Sequence, residues 1–185
     1  MLTELYARAD TSDYIFFNYP TQKECQIYFK IIEKEEPIDI RSLHIDIIST
    51  LFKIFLRNLP DALLCCELYE DWVEAALLPE EDELPEILKL CHKLPKQNFL
   101  VLQYILKIFE EIIEVSKSKD EFVVTPYYLG ISIGHLMLWP NHPYRKLPSN
   151  IEDQNEYEFV METHYFVCYV TQSLIKYSNF IINIW

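Results

Sequence analysis

Apolar residues recur at spacings of three and four along several stretches of the chain, the period of an amphipathic helix rather than a strand. From Ser42 to Asn58 the pattern puts Ile47, Ile48, Leu51, Phe52, Phe55 and Leu59 on one stripe and Asp46, Thr50, Lys53 and Arg57 on the other face. Glu67 to Leu78 reads as a shorter helix, and EEDE (Glu80–Glu83), flanked by Pro79 and Pro85, as an acidic surface loop. Asn98 is placed to cap the next helix, in which Phe99, Leu102, Ile105, Phe109 and Ile112 face inward and which reaches Val115. Thr125 and Pro126 form an N-cap and first-turn pair opening YYLGISIGHLML, a stretch apolar all round and therefore expected in the core. Its Gly130 and Gly134 lie one turn apart and would let a neighbouring helix approach closely. Trp139 to Gln154, with three prolines, reads as a long connection, after which Phe166, Val170, Leu174, Tyr177 and Ile181 space out a last helix. Strand signals are weak, although DYIFFNY has the aromatic and β-branched content that favours extended chain.

Punctuation supports an all-α reading. There are only two glycines in 185 residues, and prolines sit between the apolar stretches rather than inside them. With half of the residues hydrophobic and no internal repeat, the expectation is a single domain over residues 1–185. The formal net charge of −13 disfavours phosphate backbones and anionic lipid, so neither nucleic acid binding nor membrane insertion is expected, and a protein partner with a basic patch fits better. Five cysteines (Cys25, Cys65, Cys66, Cys91 and Cys168) include no C-x-x-C spacing, and read as buried free thiols of a cytoplasmic protein.

Self-contained catalysis finds little support. The five histidines are scattered, no H-E-x-x-H spacing occurs, and so few glycines allow neither a phosphate-binding loop nor a dinucleotide fingerprint. No metal or cofactor is expected. Cys91 beside His92 would need a base placed in space to act as a nucleophile. The aromatic residues follow the apolar stripes instead of alternating with arginines, a core pattern and not a base-stacking one.

One string is more specific. LFKIFLRNLPDALL (Leu51–Leu64) resembles the hallmark L-L-K-x-F-L-R-x-L-P-x-P-L-L helix and turn of Rho GTPase-activating protein (RhoGAP) domains. ELYEDW, then LPKQNFLVLQYIL (Leu94–Leu106) and LGISIGHLML (Leu129–Leu138), follow in the order and spacing of that family, with Gly134 at its matching glycine and His135 at its usual proline. The resemblance runs from about Leu5 to Ile184 and implies an all-α, single-domain helical bundle of the RhoGAP type. The family's first helix extends further upstream than Met1 allows, so the resemblance implies an N-terminally shortened domain or a piece of a larger protein.

The resemblance also implies a partner and a mechanism: a Rho-family small GTPase in its GTP-bound form, which hydrolyses its own GTP while the domain supplies an arginine in trans. By resemblance Lys53 and Arg57 border the GTPase site; by spacing alone they are two solvated charges. The arginine normally ends a G-I-F-R loop motif. Here the string is DYIFF: Tyr14 replaces the glycine, Ile15 and Phe16 match, and Phe17 stands at the arginine. Two asparagines of the family align with Phe122 and Tyr128. An arginine finger contributes about a thousandfold to a hundred-thousandfold in rate, roughly 4 to 7 kcal/mol, which phenylalanine has no charged donor to supply. The expectation is a domain that binds a GTPase through Lys53, Arg57 and Tyr128 with weak or no activation. Two alternatives stay open: an active domain using another arginine such as Arg8, or a scaffold for a partner that is not a GTPase.

Overall fold

The computed structural model describes residues 1–9, 15–17, 38–118, 123–141 and 154–184. Tyr14, Cys25, Phe122 and most of the connection between Trp139 and Gln154 lie outside the described residues. Among the described residues there are no strands and nine α-helices. They are α1 (Leu2–Ala7), α2 (Ile45–Arg57), α3 (Tyr69–Ala76), α4 (Glu80–Lys93), α5 (Lys96–Lys117), α6 (Pro126–Leu129), α7 (His135–Met137), α8 (Gln154–Lys176) and α9 (Ser178–Ile182). A π-helical turn (Gly130–Gly134) joins α6 to α7. In place of an extended segment, Ile15, Phe16 and Phe17 form a turn.

Long α5 is the centre of the bundle, packed by α1, α8 and α9. Phe99, Leu102, Ile105, Ile108, Phe109 and Ile112 are all buried, at the three-and-four spacing anticipated. Each such side chain contributes about 1.5–3 kcal/mol through the apolar area it takes from water. The helix starts at Lys96 with Pro95 before it, so Asn98 is not its cap. Asn98 instead donates from Nδ2 to the Leu63 carbonyl at 2.8 Å, tying α5 to the turn after α2. The far end runs to Lys117, two residues past Val115.

The EEDE segment is helix, not loop. Four acidic residues occupy the first turn of α4, where unsatisfied backbone N–H groups and the helix dipole favour negative charge. Pro85 lies inside the helix, so the carbonyl of exposed Glu81 forgoes its i+4 donor close to the solvated start. Glu83 turns inward. Its carboxylate accepts from Ser173 Oγ, from Tyr177 hydroxyl at 2.7 Å and from Lys176 Nζ at 2.9 Å, pinning α4 to α8.

Around the π turn, α8 comes very close. A Cβ on Gly130 would sit 3.1 Å from Cys168 Cα, and one on Gly134 would sit 2.6 Å from Thr171 Oγ1 and 3.2 Å from the Val167 carbonyl oxygen. Only glycine leaves room for these backbones. Thr125 accepts from Tyr128 N–H and Pro126 takes the first helical position, as their sequence predicts. Among the cysteines, Cys91 and Cys168 are buried free thiols, but Cys65 and Cys66 are only half-buried. Cys65 has φ 63°, outside the regions L-residues favour, in a turn where Asp61 Oδ1 accepts from Cys66 N–H and Trp72 donates to the Leu64 carbonyl.

Candidate functional site

Helix α2 carries the charged half of the site. His44 caps it, with Nδ1 accepting from Asp46 N–H, and Asp46 and Arg57 match the signs of its two ends. Its buried stripe is Ile45, Ile48, Leu51, Phe52 and Leu56. Phe55, assigned to that stripe from its spacing, is 45% exposed and stacks on Phe52. Lys53 and Thr50, assigned to the solvated face, are buried. The reason is tertiary: the turn from Ile15 to Phe17 and the π turn lie against the polar side of α2.

Lys53 Nζ reaches the Phe16 carbonyl, and Ser132 Oγ from the π turn donates to the same oxygen at 2.6 Å. One carbonyl thus takes two donors from two elements, and burial lowers the Lys53 ammonium to about 8, still charged at neutral pH. Ile15 and Phe16 are 1% exposed, and Phe16 meets Phe109 edge to face with ring centroids 6.0 Å apart. These contacts hold the loop at one point. The next residue, Phe17, is half-buried and lies edge-on to Tyr128 at 6.1 Å, with Tyr127 following at 6.1 Å from Tyr128. Arg57, one turn beyond Lys53, is exposed and forms neither a hydrogen bond nor an ion pair among the described residues.

The site therefore gathers Ile15, Phe16, Phe17, Lys53, Arg57 and Tyr128. Arg8 is placed elsewhere: it closes α1, half-buried, and its Nη1 donates to the Leu43 carbonyl at 2.8 Å. Leu43 precedes α2, whose eight-residue rise from Ile45 to Lys53 alone is about 12 Å at 1.5 Å per residue. Ser132 escaped the sequence reading, although a hydroxyl inside a nearly charge-free helix was the available signal.

The RhoGAP domain family matches residues 1–142, a span that includes the loop, α2 and the π turn. This chain belongs to the RhoGAP domain family. Over 94 residues, half of this chain, it is 34% identical to Rho GTPase-activating protein 44 of Rattus norvegicus. It is 31% identical to SH3 domain-binding protein 1 of Mus musculus over 133 residues, 71% of the chain. The chain spans 11% and 18% of the length of those two proteins. In fold, this RhoGAP domain is similar to the BH domain of GRAF, the GTPase regulator associated with focal adhesion kinase, with TM-score 0.73 and 20% identity, covering 98% of this chain and 92% of the other. Human Rho GTPase activating protein 15 aligns with TM-score 0.76 and 18% identity over 98% of this chain and 82% of its own. Among the described residues this RhoGAP domain holds no cluster of side chains suited to a metal ion, and no helix long and apolar enough to cross a membrane.

Proposed function

We propose that this RhoGAP domain docks on a GTP-bound Rho-family GTPase in the cytoplasm and accelerates its GTP hydrolysis weakly or not at all. The observation that carries the reading is the doubly held Phe16 carbonyl. With the loop anchored there by Lys53 and Ser132, the side chain following the anchor is Phe17, where the family resemblance calls for arginine. Its ring packs on Tyr128 and offers no charged donor to a developing phosphoryl charge. Arg57 remains as an exposed cation for the partner, and Phe17, Tyr127 and Tyr128 form a partly exposed aromatic edge. Arg8 is a poor substitute finger, because its guanidinium is engaged on Leu43 at the start of α2.

Single-turnover GTP hydrolysis with a panel of Rho-family GTPases tests this: acceleration by the domain is expected to stay below tenfold, and a tenfold or larger rise refutes it. Phe17→Arg should recover only part of a family-typical rate, since Tyr128 still crowds the loop. If Arg8 were the finger, Arg8→Ala would abolish an acceleration that the unmodified domain shows. Pull-down with GTP-loaded and GDP-loaded GTPases separates docking on the active form from a scaffold role, in which neither form is retained.

A further inference from the structure

Behind the loop anchor, α2, the π turn and α7 line a half-open pocket of about 150 Å³ formed by Thr50, Lys53, Ile54, Arg57, Ser132, His135 and Leu136. At about 30 Å³ per water in the liquid, it is far larger than a single water site. Its chemistry runs against the rest of the molecule. The chain has 29 acidic residues and a net charge of −13, yet of the seven described residues lining this pocket none is a carboxylate and two are cations.

Two of the donors, Arg57 and Thr50, have capacity to spare. Arg57 makes no ion pair among the described residues, so its five N–H groups are available to an oxyanion in the forked geometry that carboxylates and phosphates accept. Thr50 is 9% exposed, and its Oγ1 is fully buried without a hydrogen-bond partner among the described residues. A buried hydroxyl left so is a cost to the fold until something meets it. Burial, with His164 stacked 5.0 Å away and Lys53 and Arg57 nearby, lowers His135 to about 4. At neutral pH its ring is therefore uncharged and carries one N–H.

We propose that this pocket is an oxyanion site that takes a phosphate group between Lys53 and Arg57, with the Thr50 hydroxyl as a third donor. Two cations match the charge of a phosphate dianion. Lys53 is shared with the Phe16 carbonyl, so occupancy of the pocket and anchoring of the loop are linked through one ammonium. Phosphate binding here needs no GTPase and does not depend on Phe17, although it draws on Arg57, the same cation offered to the partner.

Calorimetric titration of the 185-residue protein with sodium phosphate at pH 7.4 tests it, with sodium chloride at matched ionic strength as reference. The expected result is saturable one-to-one binding of phosphate, weakened at least tenfold in Arg57→Gln and at least threefold in Thr50→Val. Arg57 is exposed, and Thr50→Val removes only an unpartnered hydroxyl, so both variants should fold; circular dichroism checks that. Phenyl phosphate separates the sources: binding equal to phosphate supports a phosphoryl group carried by another molecule, and binding only of inorganic phosphate supports the free ion. Heat indistinguishable from chloride, or affinity unchanged in both folded variants, overturns the proposal.

Discussion

Glu83 shows how far one side chain can depart from its sequence neighbours. Glu80, Glu81 and Asp82 are exposed at the start of α4, while Glu83 is buried on Ser173, Tyr177 and Lys176. Burial raises its carboxyl, but the hydrogen bonds from Ser173, Tyr177 and Lys176 together outweigh that and hold it below the ordinary carboxylate range. Glu83→Gln keeps the shape but loses the charge, and it should cost about 1–3 kcal/mol, read as a lower urea midpoint at unchanged slope. Glu81→Gln, on the exposed face of the same turn, should move the midpoint little. Lys53 makes the complementary point. Its four-residue spacing from Arg57 reads as a solvated pair, and only the loop folded over α2 distinguishes the buried ammonium from the exposed guanidinium.

At the scale of elements, the contact between the π turn and α8 depends on two missing side chains. Alanine is the better helix former by about 1 kcal/mol, so in an exposed helix Gly→Ala would stabilise. Here the new Cβ would press on Cys168 backbone atoms at position 130, or on Thr171 and the Val167 carbonyl at position 134. Overpacking of this kind costs about 1–3 kcal/mol. Gly130→Ala and Gly134→Ala should therefore both lower the thermal midpoint, with the larger effect at 134, where the approach is 2.6 Å. A rise in either midpoint would mean that α8 can retreat freely. Gln103 braces another junction, donating from Nε2 to the carbonyls of Ile181 and Ile182 at 3.1 Å and so satisfying the end of α9 from the side of α5.

At the scale of the whole molecule, the described groups shifted in the acid range, Glu83, His135 and His164, point one way. His135 is lowered to about 4 by burial, by His164, and by Lys53 and Arg57, against an ordinary value of 6.5, and His164 is lowered by burial as well. A histidine kept neutral in the fold binds its proton more readily when unfolded. Its contribution is thus present above 6.5 and is lost as pH falls toward 4. For His135 alone this is on the order of 3 kcal/mol. Glu83, also lowered, adds a further loss as pH falls through its folded value. Unfolding free energy should therefore decline between pH 6.5 and 4, and His135→Gln should flatten that slope. Lys53 works on the other side of neutrality: burial lowers it to about 8, and the cost of keeping its ammonium buried is relieved as pH rises from 8 toward 10.5.

Periodicity along the chain determined the helical class, the apolar faces of α5 and α8, the Thr125–Pro126 start and the need for glycine at 130 and 134. Each of these is a local rule: a 3.6-residue repeat, a cap, or a position with no room for a Cβ. The strings from Leu51 to Leu138 also carried the RhoGAP resemblance, which the match over residues 1–142 bears out. Folding decided what local rules cannot reach. Asn98 has the residue type of a cap but meets the Leu63 carbonyl, because the turn after α2 packs there. Phe55 has the spacing of the core but is left exposed, while Lys53 goes inside, because a loop from far upstream offers it a carbonyl. EEDE has the composition of a loop, but a helix N-terminus welcomes its charge, and α8 supplies the donors that bury Glu83. A buried polar group is set by the partner that satisfies it, and that partner lies 35 to 94 residues away at these sites.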